Sequence, residues 1–137
     1  MSEIRTRQLI ERYLDAFNRS DHEAMLACLS EDVARDKSGG GREIGKEKFR
    51  WFLGLSARHF REELSDVAIM TAPGGVRAAA EFTLHGTYRS TLEGLPEARG
   101  QRYSLPAGMF FEVDDGLISR LTFHLDRAAR EAQIGSA

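Results

Sequence analysis

Three side chains in this chain have the chemistry to move protons: Asp36, Tyr13 and His124. Asp36 stands between Arg35 and Lys37 at the end of a short extended run. Facing an apolar pocket, its carboxyl would be pushed up by desolvation and become a better base. Paired with Arg35 or Lys37 it would move the other way, or be no more than a solvated charged turn. Tyr13 lies on an apolar helix stripe, where the ring packs and the hydroxyl needs a backbone group, water or a ligand. His124 sits in the last strand pattern; an imidazole there either serves the strand surface or does proton work near neutral pH. The other histidines have ordinary explanations. His59 follows Arg58 at a helix end, where a cation complements the dipole. His85 alternates with Glu81 and Thr83 on a polar strand face.

Two further chemistries are set aside. Gly40-Gly41-Arg42-Glu43-Ile44-Gly45-Lys46 matches the first seven positions of a phosphate-binding P-loop, but the eighth must be Ser or Thr to hold magnesium and is Glu47. An acidic side chain there repels phosphate, and the parallel α/β architecture is missing. No His pair at i, i+4 and no Cys pair offers a zinc spacing. The one cysteine, Cys28, reads as an inert buried thiol and excludes an intrachain disulfide. No cofactor or metal is expected.

The elements that must carry these residues follow from periodicity. Ile10, Tyr13, Leu14 and Phe17 fall at i, i+3, i+4, i+7, one face of a first helix. Ser20-Asp21-His22-Glu23 reads as a capping box with Ser20 as the cap, opening a short second helix with Met25, Leu26 and Leu29 inward. Residues 32–36 form a short extended segment. After the Ser38–Gly41 loop, a third helix runs from Gly45 to about His59, with Phe49, Phe52, Leu53, Ser56 and Phe60 on one side. The period then changes to two. Strands are predicted over 64–71, 76–89, 101–113 and 117–126, with turns at Pro73-Gly74-Gly75 and Asp114-Asp115-Gly116 and a loop over 93–100. Residues 133–137 read as a frayed tail. Helices followed by a strand meander point to an α+β fold in which the sheet wraps around the third helix and leaves an open-ended pocket.

The bulk numbers agree. The chain has 137 residues, enough for one domain spanning 1–137, with 42% apolar and 29% charged residues. A net charge of -2 gives no electrostatic reason for nucleic acid or an anionic membrane. No apolar run approaches a membrane span, and Met1–Gln8 lacks the apolar stretch of a signal peptide. A cytoplasmic protein is the expectation.

The stretch Ile10-Glu11-Arg12-Tyr13-Leu14-Asp15-Ala16-Phe17-Asn18, then residues 32–36 and Gly45, resembles ketosteroid isomerase and the wider SnoaL-like (NTF2-like) group. The likeness is greatest to uncharacterised ketosteroid isomerase-related proteins. It extends through Arg42–Lys46, His85-Gly86-Thr87-Tyr88, Gly94-Leu95-Pro96, Ala98–Gln101 and Leu105-Pro106-Ala107-Gly108, nearly the whole chain. It implies an NTF2-like α+β cone: three N-terminal helices packed on a curved, mixed, mostly antiparallel sheet. It also implies a homodimer, with His85 on the contact face. Within that family a carboxylate moves a proton next to a ketone while a Tyr and a protonated Asp hold the enolate oxygen. Tyr13 matches the oxyanion Tyr and Asp36 the base. The oxyanion Asp is replaced by Gly108, or by Met109 with a shift of one, and neither donates a side-chain proton. In the polyketide-cyclase branch the acid/base carboxylate lies on the last strand, near His124.

The function expected from this is cofactor-free acid/base chemistry on a small, mostly apolar carbonyl compound, steroid- or polyketide-like. Asp36 takes the proton, Tyr13 stabilises the enolate and His124 returns the proton. Leu14, Trp51, Phe52, Leu55, Phe82, Met109 and Phe111 form the apolar wall. The alternatives are a non-catalytic binder on the same cone and a hydrolase in which Asp36 activates water.

Overall fold

A computed structural model describes residues 2–136. In chain order these form α1 (Glu3–Asn18), α2 (His22–Ala27), β1 (Leu29–Asp36), β2 (Arg42–Ile44), α3 (Lys46–His59), β3 (Phe60–Thr71), β4 (Arg77–Tyr88), β5 (Arg102–Asp114), β6 (Leu117–Leu125) and α4 (Arg127–Ser136). The strands make one curved, open sheet in the order β2-β1-β6-β5-β4-β3. Among the described strands only the β1–β6 pair is parallel. The fold is the expected α+β cone with one helix more.

Helix α1 starts where the Ser2 hydroxyl accepts the Arg5 amide at 3.1 Å. Leu9, Ile10, Tyr13 and Leu14 are all buried, so the stripe read from the sequence lies against the sheet. Both ends of the helix are tied down. Thr6 donates to the Gly75 carbonyl at 2.5 Å. Asn18 takes the Leu64 amide at 2.7 Å and gives its own N–H to the Leu64 carbonyl at 3.0 Å, as a neighbouring strand would. It is therefore α1, rather than α3, that fills the cone. Helix α3 buries only Phe49 and Leu53 and serves as a side wall.

The long strands β4 and β5 pair in continuous register from Arg77↔Glu112 to Thr87↔Arg102, with alternate residues buried. In β3 a register shift between Ser65 and Ala68, with Asp66 at φ 53°, bends the edge strand around the core.

Five further expectations change. The cap of α2 is Asp21, which accepts the Ala24 amide at 3.0 Å; Ser20 sits at φ 55°, in a left-handed turn that Asp21 follows. The first strand begins at Leu29, and β3 begins at Phe60 directly after α3. Phe60 continues the helix stripe in sequence but alternates with Glu62 and Leu64 once the chain extends. The short strand β2 was not foreseen. The tail is not frayed over 133–136, because residues 127–136 form α4; residue 137 lies outside the described residues. Ile134 is fully buried, and Gln133 brackets Ser104 with bonds of 2.8 Å to its amide and 2.9 Å from its side-chain N–H to its carbonyl.

Candidate active site

A cavity of about 580 Å³ opens between α1, α3, α4 and the concave face of the sheet. That volume suits a small organic ligand. Phe17, Phe49, Phe52, Leu55, Met109, Leu121 and Phe123 supply apolar wall. The polar groups gather in two places.

The first is around Tyr13. Its ring is held edge-on to Phe111 with centroids 6.1 Å apart. The hydroxyl makes no hydrogen bond to any described residue. Burial, with a smaller push from Cys28, raises its pKa well above that of an ordinary tyrosine; Arg35 pulls the other way. The group is thus a neutral donor at any working pH, with a cation beside it. Arg35 points inward from β1 and stacks on Phe52 with its guanidinium carbon 3.7 Å from the ring centroid. Glu43 fixes it at 2.9 Å, and its buried Nε has no acceptor. This Arg35 bond holds the Glu43 carboxyl below the ordinary glutamate value.

The second place is the end covered by α4. Glu62 of β3, Gly86 of β4 and Tyr103 of β5 stand side by side in register. A Cβ at Gly86 would fall inside the Tyr103 ring, so glycine is what lets that ring lie across β4. The Tyr103 hydroxyl then reaches over to donate to Glu62 Oε2 at 2.5 Å. Burial first, then the Glu62 charge, raises the Tyr103 pKa far above ordinary. Arg130 comes down from α4, stacks 4.2 Å above Phe60 and approaches the same Glu62 oxygen at 3.5 Å. Its buried Nε has no acceptor either.

Among the expected site residues, Tyr13, Asp36, Phe52, Leu55 and Met109 border the cavity. Asp36 borders it with its carboxylate engaged elsewhere. Successive strand residues face opposite ways. Arg35 points in, and Asp36 turns to Arg42, which grips both carboxylate oxygens at 2.6 and 3.0 Å, with Arg120 at 3.6 Å. The Arg42 hydrogen bonds hold its carboxyl below the usual aspartate value despite some desolvation. The pairing that weakens a base is present, with Arg42 and Arg120 as partners in place of Arg35 and Lys37.

His124 is a correction. It pairs with Gly108 across β5 and β6, one residue out of phase with Phe123, and lies exposed on the convex face. There its ring meets Phe110 edge-on at 5.4 Å. It does not reach the cavity. Trp51 is 72% exposed, on the outward side of α3. Leu14, Phe82 and Phe111 are buried in the core behind the cavity rather than on its wall. Sequence reasoning missed Arg35, Glu62, Tyr103 and Arg130 as site residues. The signals were available in part: Phe60, Glu62 and Leu64 alternate, and Gly86 sits at a buried position of an otherwise apolar strand face.

Among the described residues no group of three His, Cys, Asp or Glu side chains comes together to hold a metal, and no helix is long and apolar enough to cross a membrane. A curved sheet wrapped over an inner helix, with a cavity at its open end, defines the NTF2-like cone. Residues 10–121 match the SnoaL-like domain model, and the chain belongs to that family. Its fold is very similar to that of three bacterial proteins described as candidate polyketide cyclases. The one from Xanthomonas campestris pv. campestris is 44% identical, with a TM-score of 0.95 over 98% of this chain and 99% of that one. The one from Silicibacter sp. TM1040 is 47% identical, with a TM-score of 0.91 over 98% of each chain. The one from Pseudomonas putida KT2440 is 44% identical, with a TM-score of 0.90 over 94% of this chain and 97% of that one. An LEH-like epoxide hydrolase from M. tuberculosis shares the fold at 18% identity, with a TM-score of 0.77. No curated protein matches the sequence.

Proposed function

We propose that this protein is a cofactor-free acid/base enzyme acting on a small, mostly apolar carbonyl compound, in the manner of an isomerase or cyclase. The observation that carries this is the Tyr13 hydroxyl: a neutral donor without a hydrogen-bond partner among the described residues, on the wall of an apolar cavity, with the Arg35 cation beside it. When a proton leaves the carbon next to a carbonyl, negative charge builds on the oxygen. A fixed hydrogen-bond donor and a nearby cation stabilise that charge more than they stabilise the ketone. Arg35 thereby supplies the electrostatic help that Gly108 lacks. The similarity to proteins described as candidate polyketide cyclases supports a polyketide-like ligand.

In this reading the base is a carboxylate. Asp36, the residue implied by the resemblance, would first have to leave Arg42. Its lowered pKa makes it a weak acceptor. His124 has no part, since it lies on the other side of the sheet. The chain also pairs with a second copy through the convex face, where Met70 and Phe110 are half-exposed.

The test is hydrogen–deuterium exchange at the α-carbon of a panel of cyclic aromatic ketones in D₂O, followed by NMR. Wild type is expected to catalyse exchange, and Tyr13→Phe to slow it by about 10²–10³. The second reading, a non-catalytic binder, is favoured by the engaged Asp36 and by Gly108. It requires ketones to bind with no exchange above the buffer rate.

A further inference from the structure

We propose that Glu62 is the proton-transferring carboxylate of this cavity, positioned by Tyr103 and Arg130. This inference rests on the carbonyl reading above and supplies the base that reading needs. Between the two carboxylates bordering the cavity, the geometry decides. Both oxygens of Asp36 are held by Arg42. Glu62 has one oxygen, Oε2, shared by Tyr103 at 2.5 Å and Arg130 at 3.5 Å. The other, Oε1, accepts no hydrogen bond from any described residue. The Glu62 side chain is only 12% exposed and belongs to the cavity wall. A carboxylate oriented through one oxygen, with the other free of hydrogen bonds on the cavity wall, is an arrangement that suits a general base.

The sheet is built to hold that orientation. Three strands bring Glu62, Gly86 and Tyr103 into one row, and the missing Cβ at Gly86 makes room for the ring. The charged groups around Glu62 are Arg130 from α4, Arg61 and Glu63 from β3 and, at the same end of the cavity, Arg127 from α4, Arg89 after β4 and His59 from α3. Arg61 is occupied by the Glu62 carbonyl, the Asn18 carbonyl and Glu63.

The step is balanced within the site. Glu62 Oε1 takes the proton from the carbon next to the ligand carbonyl. The C–H electron pair becomes the C=C of the enolate, and the carbonyl oxygen takes the negative charge. The protonated Glu62 then returns the proton, either to the γ-carbon in an isomerisation or to the alkoxide left when the enolate carbon attacks a second carbonyl of the same ligand.

The experiment compares wild type, Glu62→Gln, Asp36→Asn and Tyr103→Phe in the α-deuterium exchange assay. In parallel, ¹³C NMR follows the Glu62 side-chain carboxyl, assigned by its absence in Glu62→Gln, as 2-naphthol is added as an enol mimic. Glutamine keeps an oxygen for Tyr103, and unfolding midpoints establish that each variant is folded. The expected results are a loss of about 10²–10⁴-fold in exchange rate for Glu62→Gln, with ketone affinity within about threefold, and a change of less than about threefold for Asp36→Asn. Tyr103→Phe should lower kcat with little change in KM and move the acid limb of the pH–rate profile. The Glu62 resonance should shift on addition of 2-naphthol. Exchange in Glu62→Gln at the wild-type rate overturns the proposal. So does a Glu62 resonance unmoved at saturating 2-naphthol. If wild type exchanges none of the ketones, the carbonyl reading falls by itself and the resonance decides for or against Glu62 as the carboxylate that meets the ligand.

Discussion

The row Glu62–Gly86–Tyr103 makes an unusual demand on one glycine, and Gly86→Ala tests it. In an ordinary strand this change stabilises, because alanine restricts the unfolded chain, a gain of about 0.4–1 kcal/mol. Gly86 has no positive φ to protect. The opposing terms come from the neighbour. The new methyl would occupy the space of Tyr103 Cζ, Cε2 and hydroxyl, so the ring must move. Overpacking of this kind costs about 1–3 kcal/mol. The displaced hydroxyl also gives up its bond to the Glu62 carboxylate, a charged hydrogen bond contributing about 1.5–3 kcal/mol. The losses exceed the gain, and the net destabilisation should be about 2–5 kcal/mol, a large part of the stability of a domain this size. Urea unfolding of wild type, Gly86→Ala, Tyr103→Ala and the double variant measures it, with coupling taken from the cycle. In the Tyr103→Ala background the clash is gone, and Gly86→Ala should become neutral or slightly stabilising. A similar cost in both backgrounds would refute the claim that Tyr103 is what Gly86 makes room for.

Other expectations follow from the ties at the cavity's edges. Because the folded Asp36 carboxyl titrates below its unfolded value of about 3.9, its ion pairs add stability above that pH and lose it as pH falls through the folded value. Asp36→Asn should therefore lower stability by about 1 kcal/mol or less at neutral pH, Arg42 being exposed, with the gap closing below about pH 4; a gap that stays constant to pH 2 would contradict the pairing. Ile134→Ala should cost about 2–5 kcal/mol in urea unfolding and speed exchange of the Ser104 amide, whereas a frayed tail would show neither. Phe110→Glu places a charge on the convex face and should yield monomers by sedimentation equilibrium if that face pairs two copies; an unchanged mass would locate the contact elsewhere.

Much of the fold was legible because its long elements carry a clean period. The helix stripe through Ile10, Tyr13 and Leu14 and the alternations along β4 and β5 leave little choice of face. What was not legible depends on tertiary contacts. Phe60 satisfies both the helix period before it and the strand period after it, and the pairing Phe60↔Tyr88 decides. Helix α4 has few large apolar residues; Ile134, Gln133 and Arg130 hold it only because β5 and Phe60 are already in place. Ser20 and Asp21 both suit an N-cap, and the left-handed turn at Ser20 gives the role to Asp21. The wall residues were less legible still. Trp51 and Phe52 are neighbours on α3, and a rotation of one residue separates exposure from the cavity.

The same one-residue sensitivity governs the proposed catalytic carboxylate. A resemblance aligns positions, while chemistry depends on where a side chain points and what already holds it. At Asp36 the strand phase turns the carboxylate toward Arg42 and Arg120 and gives the inward place to Arg35. A cation thus faces the cavity beside Tyr13, which suits the stabilisation of an oxyanion better than the removal of a proton. Electrostatic balance then favours a base away from Arg35, on an oxygen that no guanidinium already occupies. Among the described cavity carboxylates, Glu62 Oε1 is the oxygen that accepts no hydrogen bond, and it lies on a strand whose start the helix stripe had concealed. If the family reaction is retained here, Tyr13 keeps its oxyanion role with Arg35 standing in for the carboxyl missing at Gly108, and the proposed base moves to the edge strand beneath α4.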